Sequence, residues 1–216
     1  MTPRRVGVLI SGRGSNMEAL LAADSQAFEI VLVLSNNPDA PGLATADAAG
    51  VPVAAIDHRR FGRDRAAHEG AIAEALDRAG VEIICLAGYM RLLTPFLVQR
   101  FTGRMLNIHP SLLPALPGLH THARALALGV KLHGCTVHLV TEVMDEGPIL
   151  AQAAVPVLPD DTEERLAARV LAQEHRLYPL ALGLFAAGLP GTPPAANAVL
   201  SNPLPPAPLR PSGPIS

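Results

Sequence analysis

Val6-Gly7-Val8-Leu9-Ile10-Ser11-Gly12-Arg13-Gly14-Ser15-Asn16-Met17 decides the fold class. An apolar run ends at Ser11-Gly12, a glycine-rich turn follows, and Met17–Ala27 then carries apolar residues at helical spacing. The strand–turn–helix unit repeats downstream. Glu29–Leu34 reads as a strand closed by Ser35-Asn36-Asn37-Pro38, and Gly42–Ala49 as a helix ended by Gly50. Val51–Ile56 is the next strand, Arg63–Ala79 a helix with Gly80 past its end, and Val81–Ala87 a very apolar strand. Val- and Ile-rich runs without polar alternation are covered on both faces, and strands alternating with helices pair in parallel. The first half therefore predicts an α/β open sheet with right-handed crossovers and helices on both faces.

The second half changes pattern. A short helix near Thr94–Arg100 leads to a strand at Met105–Ile108, and Pro110–His120, with three prolines, reads as a loop. Cys135–Thr141 alternates as a strand should, and Ile149–Val157 follows after Glu142–Pro148. Two strands so joined predict an antiparallel C-terminal addition to a mostly parallel sheet. Thr162–Ala187 is the last helix, with Asp161 or Thr162 as its cap and Glu163 and Glu164 favourable in the first turn. From Leu189 onward nine of 28 residues are Pro, so residues 189–216 are expected to be an extended or disordered tail. Residues 1–188 would form one compact domain. No internal repeat is visible.

The 216 residues suffice for one domain with a full core. Hydrophobic residues make up 49% and charged residues 17%, which excludes a disordered chain. A net charge of −2 gives no reason to expect a general nucleic-acid or anionic-membrane binder. Cys85 and Cys135 cannot build a disulfide framework and form no CxxC pair. The polar Met1–Arg5 start runs straight into the first strand, so no signal peptide is expected, and no apolar run reaches the length of a membrane span. A cytoplasmic protein is the resulting expectation.

Four places could carry chemistry. The Ser11–Asn16 turn offers free backbone amides and close approach at glycine, which suit an anion such as a phosphate, although a tight βα turn of any α/β protein looks the same. It is not a Walker A loop, because no Gly-Lys-Ser/Thr follows, and not a dinucleotide fingerprint, because Met17 stands at the third glycine position and the second strand ends in Ser35-Asn36-Asn37 with no acid. Asn107 and His109 are two apart at a strand end, so both side chains point to one side. An amide that donates to an oxygen, beside an imidazole that can carry a proton, suits acyl transfer; backbone-satisfied polar residues are the alternative. Asp145, in Met144-Asp145-Glu146-Gly147-Pro148, could meet a histidine across the cleft, orienting the ring and favouring its protonated form, or simply be an acidic turn. Glu174 falls on the apolar stripe of Leu166, Val170 and Leu177, so it either reaches water at the helix edge or faces a ligand donor. His120, His122, His133 and His138 invite a metal reading, but no HExxH or zinc-ligand spacing occurs, and no metal site is expected.

Asn107-Ile108-His109-Pro110-Ser111-Leu112-Leu113-Pro114 resembles the folate-dependent formyltransferases. Ser11-Gly12-Arg13-Gly14-Ser15-Asn16, Leu86-Ala87-Gly88-Tyr89-Met90-Arg91, Pro117–His122, His133–His138 and Gln173-Glu174-His175 are similar to the glycinamide ribonucleotide branch of that family. The resemblance covers about residues 5–187. It implies a Rossmann-like formyltransferase fold and transfer of a formyl group from 10-formyltetrahydrofolate, a co-substrate, to the amine of glycinamide ribonucleotide in purine synthesis. Carried over by position, Gly14, Ser15 and Asn16 bind the substrate phosphate and Glu174 its ribose hydroxyls. Asn107 holds the formyl oxygen, His109 shuttles protons, and Asp145 supports His109 and orders a water. Met90, Arg91, Leu92, Leu93, Asn107 and Thr141, Glu142, Val143, Met144, Asp145 line the folate site, with Arg65 and Arg91 near the folate tail. The implied partners are these two small molecules, with no nucleic acid and no membrane, in a monomer or homodimer. No metal is implied.

The chain departs from the family pattern in its Pro-rich tail and at Arg13, an extra cation in the phosphate loop. A methionyl-tRNA formyltransferase would add a C-terminal domain, and a 10-formyltetrahydrofolate hydrolase an N-terminal one. A binding protein without turnover would leave Asn107, His109 and Asp145 together unexplained.

Overall fold

The computed structural model describes residues 2–188 and the backbone of Val199–Ser201. Five parallel strands, β1 (Arg4–Ile10), β2 (Phe28–Ser35), β3 (Val53–Ala55), β4 (Ile83–Leu86) and β5 (Met105–His109), are extended by β6 (Leu132–Leu139), β7 (Ile149–Pro156) and β8 (Val199–Ser201). The sheet order is β3-β2-β1-β4-β5-β6-β7-β8, with β6 antiparallel to both of its neighbours. The order reverses at β1, so the carboxyl ends of β1 and β4 flank the crevice where open α/β sheets bind ligands. Of the predicted tail, only the β8 backbone, parallel to β7, is described; the reading of the rest of 189–216 lies outside the described residues.

Six α-helices among the described residues cover the sheet: α1 (Ser15–Leu21), α2 (Pro41–Ala48), α3 (Arg65–Arg78), α4 (Pro95–Arg100), α5 (Thr121–Leu128) and α6 (Glu163–Gly188). Each central strand is buried on both faces, as its unbroken apolar sequence requires. Val6, Val8 and Ile10 of β1 join a core beneath α1 and α6 that includes Met17, Leu177 and Phe185, while Leu9 faces the opposite core of Ile72, Leu76, Leu97 and Phe101 from α3, α4 and its cap. Each such fully buried aliphatic side chain contributes about 1.5–3 kcal/mol. No helix among the described residues is long and apolar enough to cross a membrane.

Two elements differ from expectation, and a third settles an alternative. The first helix stops at Leu21, not Ala27, because Ser25 Oγ accepts the Ala27 amide and turns the chain locally. Thr121–Leu128 is a helix where the sequence predicts no element. At the start of α6, Thr162 is the cap, accepting the Arg165 amide at 3.3 Å. Asp161 instead holds Arg169 in a two-pronged ion pair at 2.7 and 2.8 Å.

Candidate active site

Strand periodicity builds the centre of the site. Leu106 and Ile108 of β5 point into the core under α6, which turns Asn107 and His109 to the other face. The antiparallel register sets Asn107 opposite His138 and His109 opposite Thr136, so four polar side chains share one face. The same face of a strand core would be costly for unpaired polar groups, and each of these has a partner. The His138 ring sits within 2.9 Å of the Leu139 carbonyl through Nδ1 and 3.2 Å from Asn107 Nδ2 through Nε2. A carbonyl only accepts, so Nδ1 carries the proton and the bare Nε2 accepts from the Asn107 amide. Burial lowers the His138 pKa, which keeps the ring neutral and this arrangement intact.

Asp145 reaches the same place from the far side. Because β6 runs backwards, Leu139 lies beside Leu106, and the 140–148 connection must fold back over the sheet face. Asp145 takes the left-handed conformation (φ 60°) in that turn, and its Oδ1 lies 3.5 Å from His109 Nδ1 and 3.9 Å from His138 Nε2. Its Oδ2 accepts the Gly118 amide at 2.8 Å. His109 Nε2 is 3.1 Å from the carbonyl of Leu116, another left-handed residue (φ 57°). His109 thus has an oxygen facing each ring nitrogen, the Leu116 carbonyl in hydrogen-bond contact and the Asp145 carboxylate at ion-pair distance. A bulky residue in that conformation costs about 1–2 kcal/mol, so Leu116 is held there by its surroundings.

Those surroundings are hydrogen bonds. Thr136 Oγ donates to the Ser111 carbonyl at 2.7 Å and accepts the Leu113 amide at 3.0 Å, and Gln152 Nε2 donates to the Leu113 carbonyl at 2.8 Å. Ser111 Oγ donates to the Ala115 carbonyl and Thr121 Oγ to that of Pro110. The Pro-rich loop is thereby tied to β6, β7 and α5.

Across the switch point, Ser11–Asn16, Ala87, Gly88 and Met90 line a cleft of about 250 Å³. Arg13 is exposed and is the one charged side chain among these lining residues. Gly14 is left-handed (φ 76°) ahead of α1, and the Gly42 amide donates to the Gly12 carbonyl. A Cβ on Gly42 would sit 2.6 Å from Ile10 Cδ1 and 2.8 Å from the Arg13 carbonyl, so only glycine lets α2 approach the loop this closely. Glu174 is 7% exposed, so the water-facing alternative does not hold; its Oε2 accepts Asn16 Nδ2 at 2.7 Å. Burial raises the Glu174 pKa, and the Asn16 bond opposes that shift. Asn16 Oδ1 has no partner and is buried. A carboxylate buried beside an unpaired amide oxygen is a pair of acceptors that suits hydroxyl donors.

The remaining predicted residues fall in two loops. Met90, Leu92, Val143 and Met144 are exposed apolar side chains at 70%, 63%, 56% and 55% of their full area. Leu93 packs against the α3–α4 core, and Arg91 is half-buried near Tyr89, whose pKa burial raises. Thr141 Oγ donates to the Val143 carbonyl, and Glu142 accepts Gln99 Nε2 from α4. Arg65 donates to the Leu92 carbonyl, so its guanidinium supports the 90–93 segment instead of standing free.

The sequence gives Thr136 no individual role, offers His138 only as a metal ligand, and includes Ser11 only as the start of the anion turn. Ser11 accepts the Met90 amide at 2.8 Å and donates to Asn36 Oδ1 at 2.6 Å, joining the two loops of the cleft. Of the histidines weighed as metal ligands, His120 is exposed, and His122 and His133 meet each other at 3.2 Å. No group of three or more His, Cys, Asp or Glu among the described residues is arranged to hold a metal ion. Cys85 and Cys135 are buried; burial pushes the Cys85 thiol up to about 12 and raises that of Cys135 further.

Residues 4–182 match the family described as formyl transferase. The chain is 44% identical over 184 residues to phosphoribosylglycinamide formyltransferase of Escherichia coli K12, covering 84% of this chain and 86% of the relative. It is also 46% identical over 190 residues to the trifunctional purine biosynthetic protein adenosine-3 of Drosophila melanogaster; that match covers 86% of this chain but 14% of the relative. The crystal structure of phosphoribosylglycinamide formyltransferase from Brucella melitensis is similar, with a TM-score of 0.81 and 59% identity, over 88% of this chain and 99% of that one. Glycinamide ribonucleotide transformylase 1 from Symbiobacterium toebii gives 0.83 and 49%, over 87% and 89%. With its match spanning nearly all the described residues, the chain belongs to the formyl transferase family.

Proposed function

We propose that the protein transfers the formyl group of 10-formyltetrahydrofolate to the amine of glycinamide ribonucleotide, releasing tetrahydrofolate. The observation that carries this reading is the His109–Asp145 pair, 3.5 Å apart, on the strand face that also presents the Asn107 amide. Membership of the formyl transferase family and likeness to the Escherichia coli phosphoribosylglycinamide formyltransferase select the substrates.

In this reading the amine lone pair forms a C–N bond to the formyl carbon, and the carbonyl π electrons move onto the formyl oxygen. One Asn107 amide hydrogen is engaged by His138, and the other is free to donate to that oxygen as its charge grows. The C–N10 bond then breaks with its electrons going to the folate nitrogen, which gains a proton as the attacking nitrogen loses one. His109 carries that proton, and Asp145 offsets the imidazolium charge. Leu116 O yields its place at Nε2 to the substrates. The phosphate takes the Gly14-Ser15-Asn16 loop, the ribose hydroxyls take Glu174 and the Asn16 amide oxygen, and the folate lies along Met90–Leu93 and Thr141–Asp145. Residues 1–188 make up the catalytic unit of this reading.

The test mixes the protein with 10-formyltetrahydrofolate, with and without glycinamide ribonucleotide, and follows tetrahydrofolate release. Release only with the ribonucleotide supports the transferase. Equal release without it identifies a hydrolase, and no release despite binding of both ligands refutes catalysis.

A further inference from the structure

Glu69, on α3, is 3% exposed and forms no ion pair among the described residues. A buried carboxylate is costly unless hydrogen bonds satisfy it, and both of its oxygens are spent on one residue. Thr94 donates its amide to Oε1 at 2.7 Å and its hydroxyl to Oε2 at 2.5 Å. Thr94 is the N-cap of α4, where a threonine hydroxyl would ordinarily accept a helix amide, yet it makes no such bond. Its hydroxyl instead donates to Glu69.

One turn earlier on the same face of α3, Arg65 donates to the Leu92 carbonyl. Two residues before that, the Met90 amide donates to Ser11 Oγ at 2.8 Å. The backbone from 90 to 94 is therefore fixed at every second residue. The side chains of Met90 and Leu92 are mostly exposed, so within this stretch packing acts through Leu93, and the bonds from beneath fix the backbone at 90, 92 and 94.

We propose that Glu69 is a positioning residue that fixes the 90–94 segment as a preformed wall for the folate co-substrate. The inference rests on the functional reading above. Ordering this apolar wall before binding spares the co-substrate the entropy of ordering it. Glu69 touches no substrate and acts only through Thr94.

The experiment compares wild type, Glu69→Ala and Glu69→Gln in the transfer assay, with each substrate varied separately, and follows backbone amide exchange of residues 90–94 without ligand. Glu69→Ala should raise KM for 10-formyltetrahydrofolate about tenfold, leave KM for the ribonucleotide within twofold, and speed exchange at Thr94. Glu69→Gln keeps an oxygen for the Thr94 amide and should stay within about threefold of wild type. Should Glu69→Ala fail to fold, Thr94→Val, which removes only the hydroxyl donor, carries the comparison, with an expected rise of about threefold. A folded alanine variant with unchanged folate KM, or with both KM values raised alike, overturns the proposal while leaving the transferase reading intact. A wild type inactive with both substrates overturns the functional reading, and the exchange arm then still reports whether Glu69 holds the segment.

Discussion

Replacing His138 isolates the part of the site that orients the oxyanion donor. Its bare Nε2 accepts from Asn107 Nδ2 at 3.2 Å, a neutral hydrogen bond on a half-buried amide. Such a bond is worth about 0.5–1.5 kcal/mol, or about 2- to 13-fold in rate when what it supplies is orientation. Losing the Asn107 amide altogether should cost more, about 10²–10³-fold, because a donor to the developing oxyanion disappears. His138→Leu should therefore lower kcat by up to about tenfold with both KM values little changed, and Asn107→Ala should lower it much further. The two effects act through one amide, so the double variant should be no slower than Asn107→Ala alone. Steady-state transfer rates for the four proteins, with circular dichroism to verify folding, make the test. A His138→Leu enzyme within twofold of wild type, or a double variant slower by the product of the single losses, refutes the coupling.

Gly42→Ala puts a methyl group 2.8 Å from the Arg13 carbonyl and must push the anion loop away, so KM for the ribonucleotide should rise at least about tenfold while KM for the folate holds. Glu174 accepts hydroxyls well only as the carboxylate, and burial raises its pKa, so KM for the ribonucleotide should climb as pH falls through a value above the ordinary carboxylate range. Asn16→Ala removes the bond that opposes that shift and should move the climb to higher pH. Burial lowers the His133 pKa to about 4, while the unfolded chain takes up its proton near 6.5, so stability should fall as pH drops from about 6.5 towards 4. Denaturant midpoints against pH should show this slope reduced in His133→Phe.

Local pattern made the left half of the sheet readable. Continuous runs such as Val6–Ile10 and Ile83–Leu86 can only be buried strands, and the period of two placed Asn107 and His109 together without any tertiary information. His138 was not readable in the same way, since its place beside Asn107 depends on the antiparallel register of β6. Asp145 sits in an ordinary acidic turn by sequence; only the left-handed backbone and the return of the 140–148 connection bring it to His109. The eight-residue α5 follows a Pro-rich stretch and begins at a left-handed His120 with no side-chain cap, so it carries no start signal. Glu174 was legible as an anomaly, a carboxylate on an apolar stripe, and its burial against Asn16 identifies which of the two explanations holds.

The central claim is that His109, supported by Asp145, carries the proton in formyl transfer between the two substrates. Ribonucleotide-dependent tetrahydrofolate formation by wild type and by folded His109→Ala, at saturating concentrations of both substrates, tests it most directly. The account predicts a loss of about 10²–10⁴-fold in kcat with binding of both substrates retained. A His109→Ala enzyme that turns over within tenfold of wild type would contradict it.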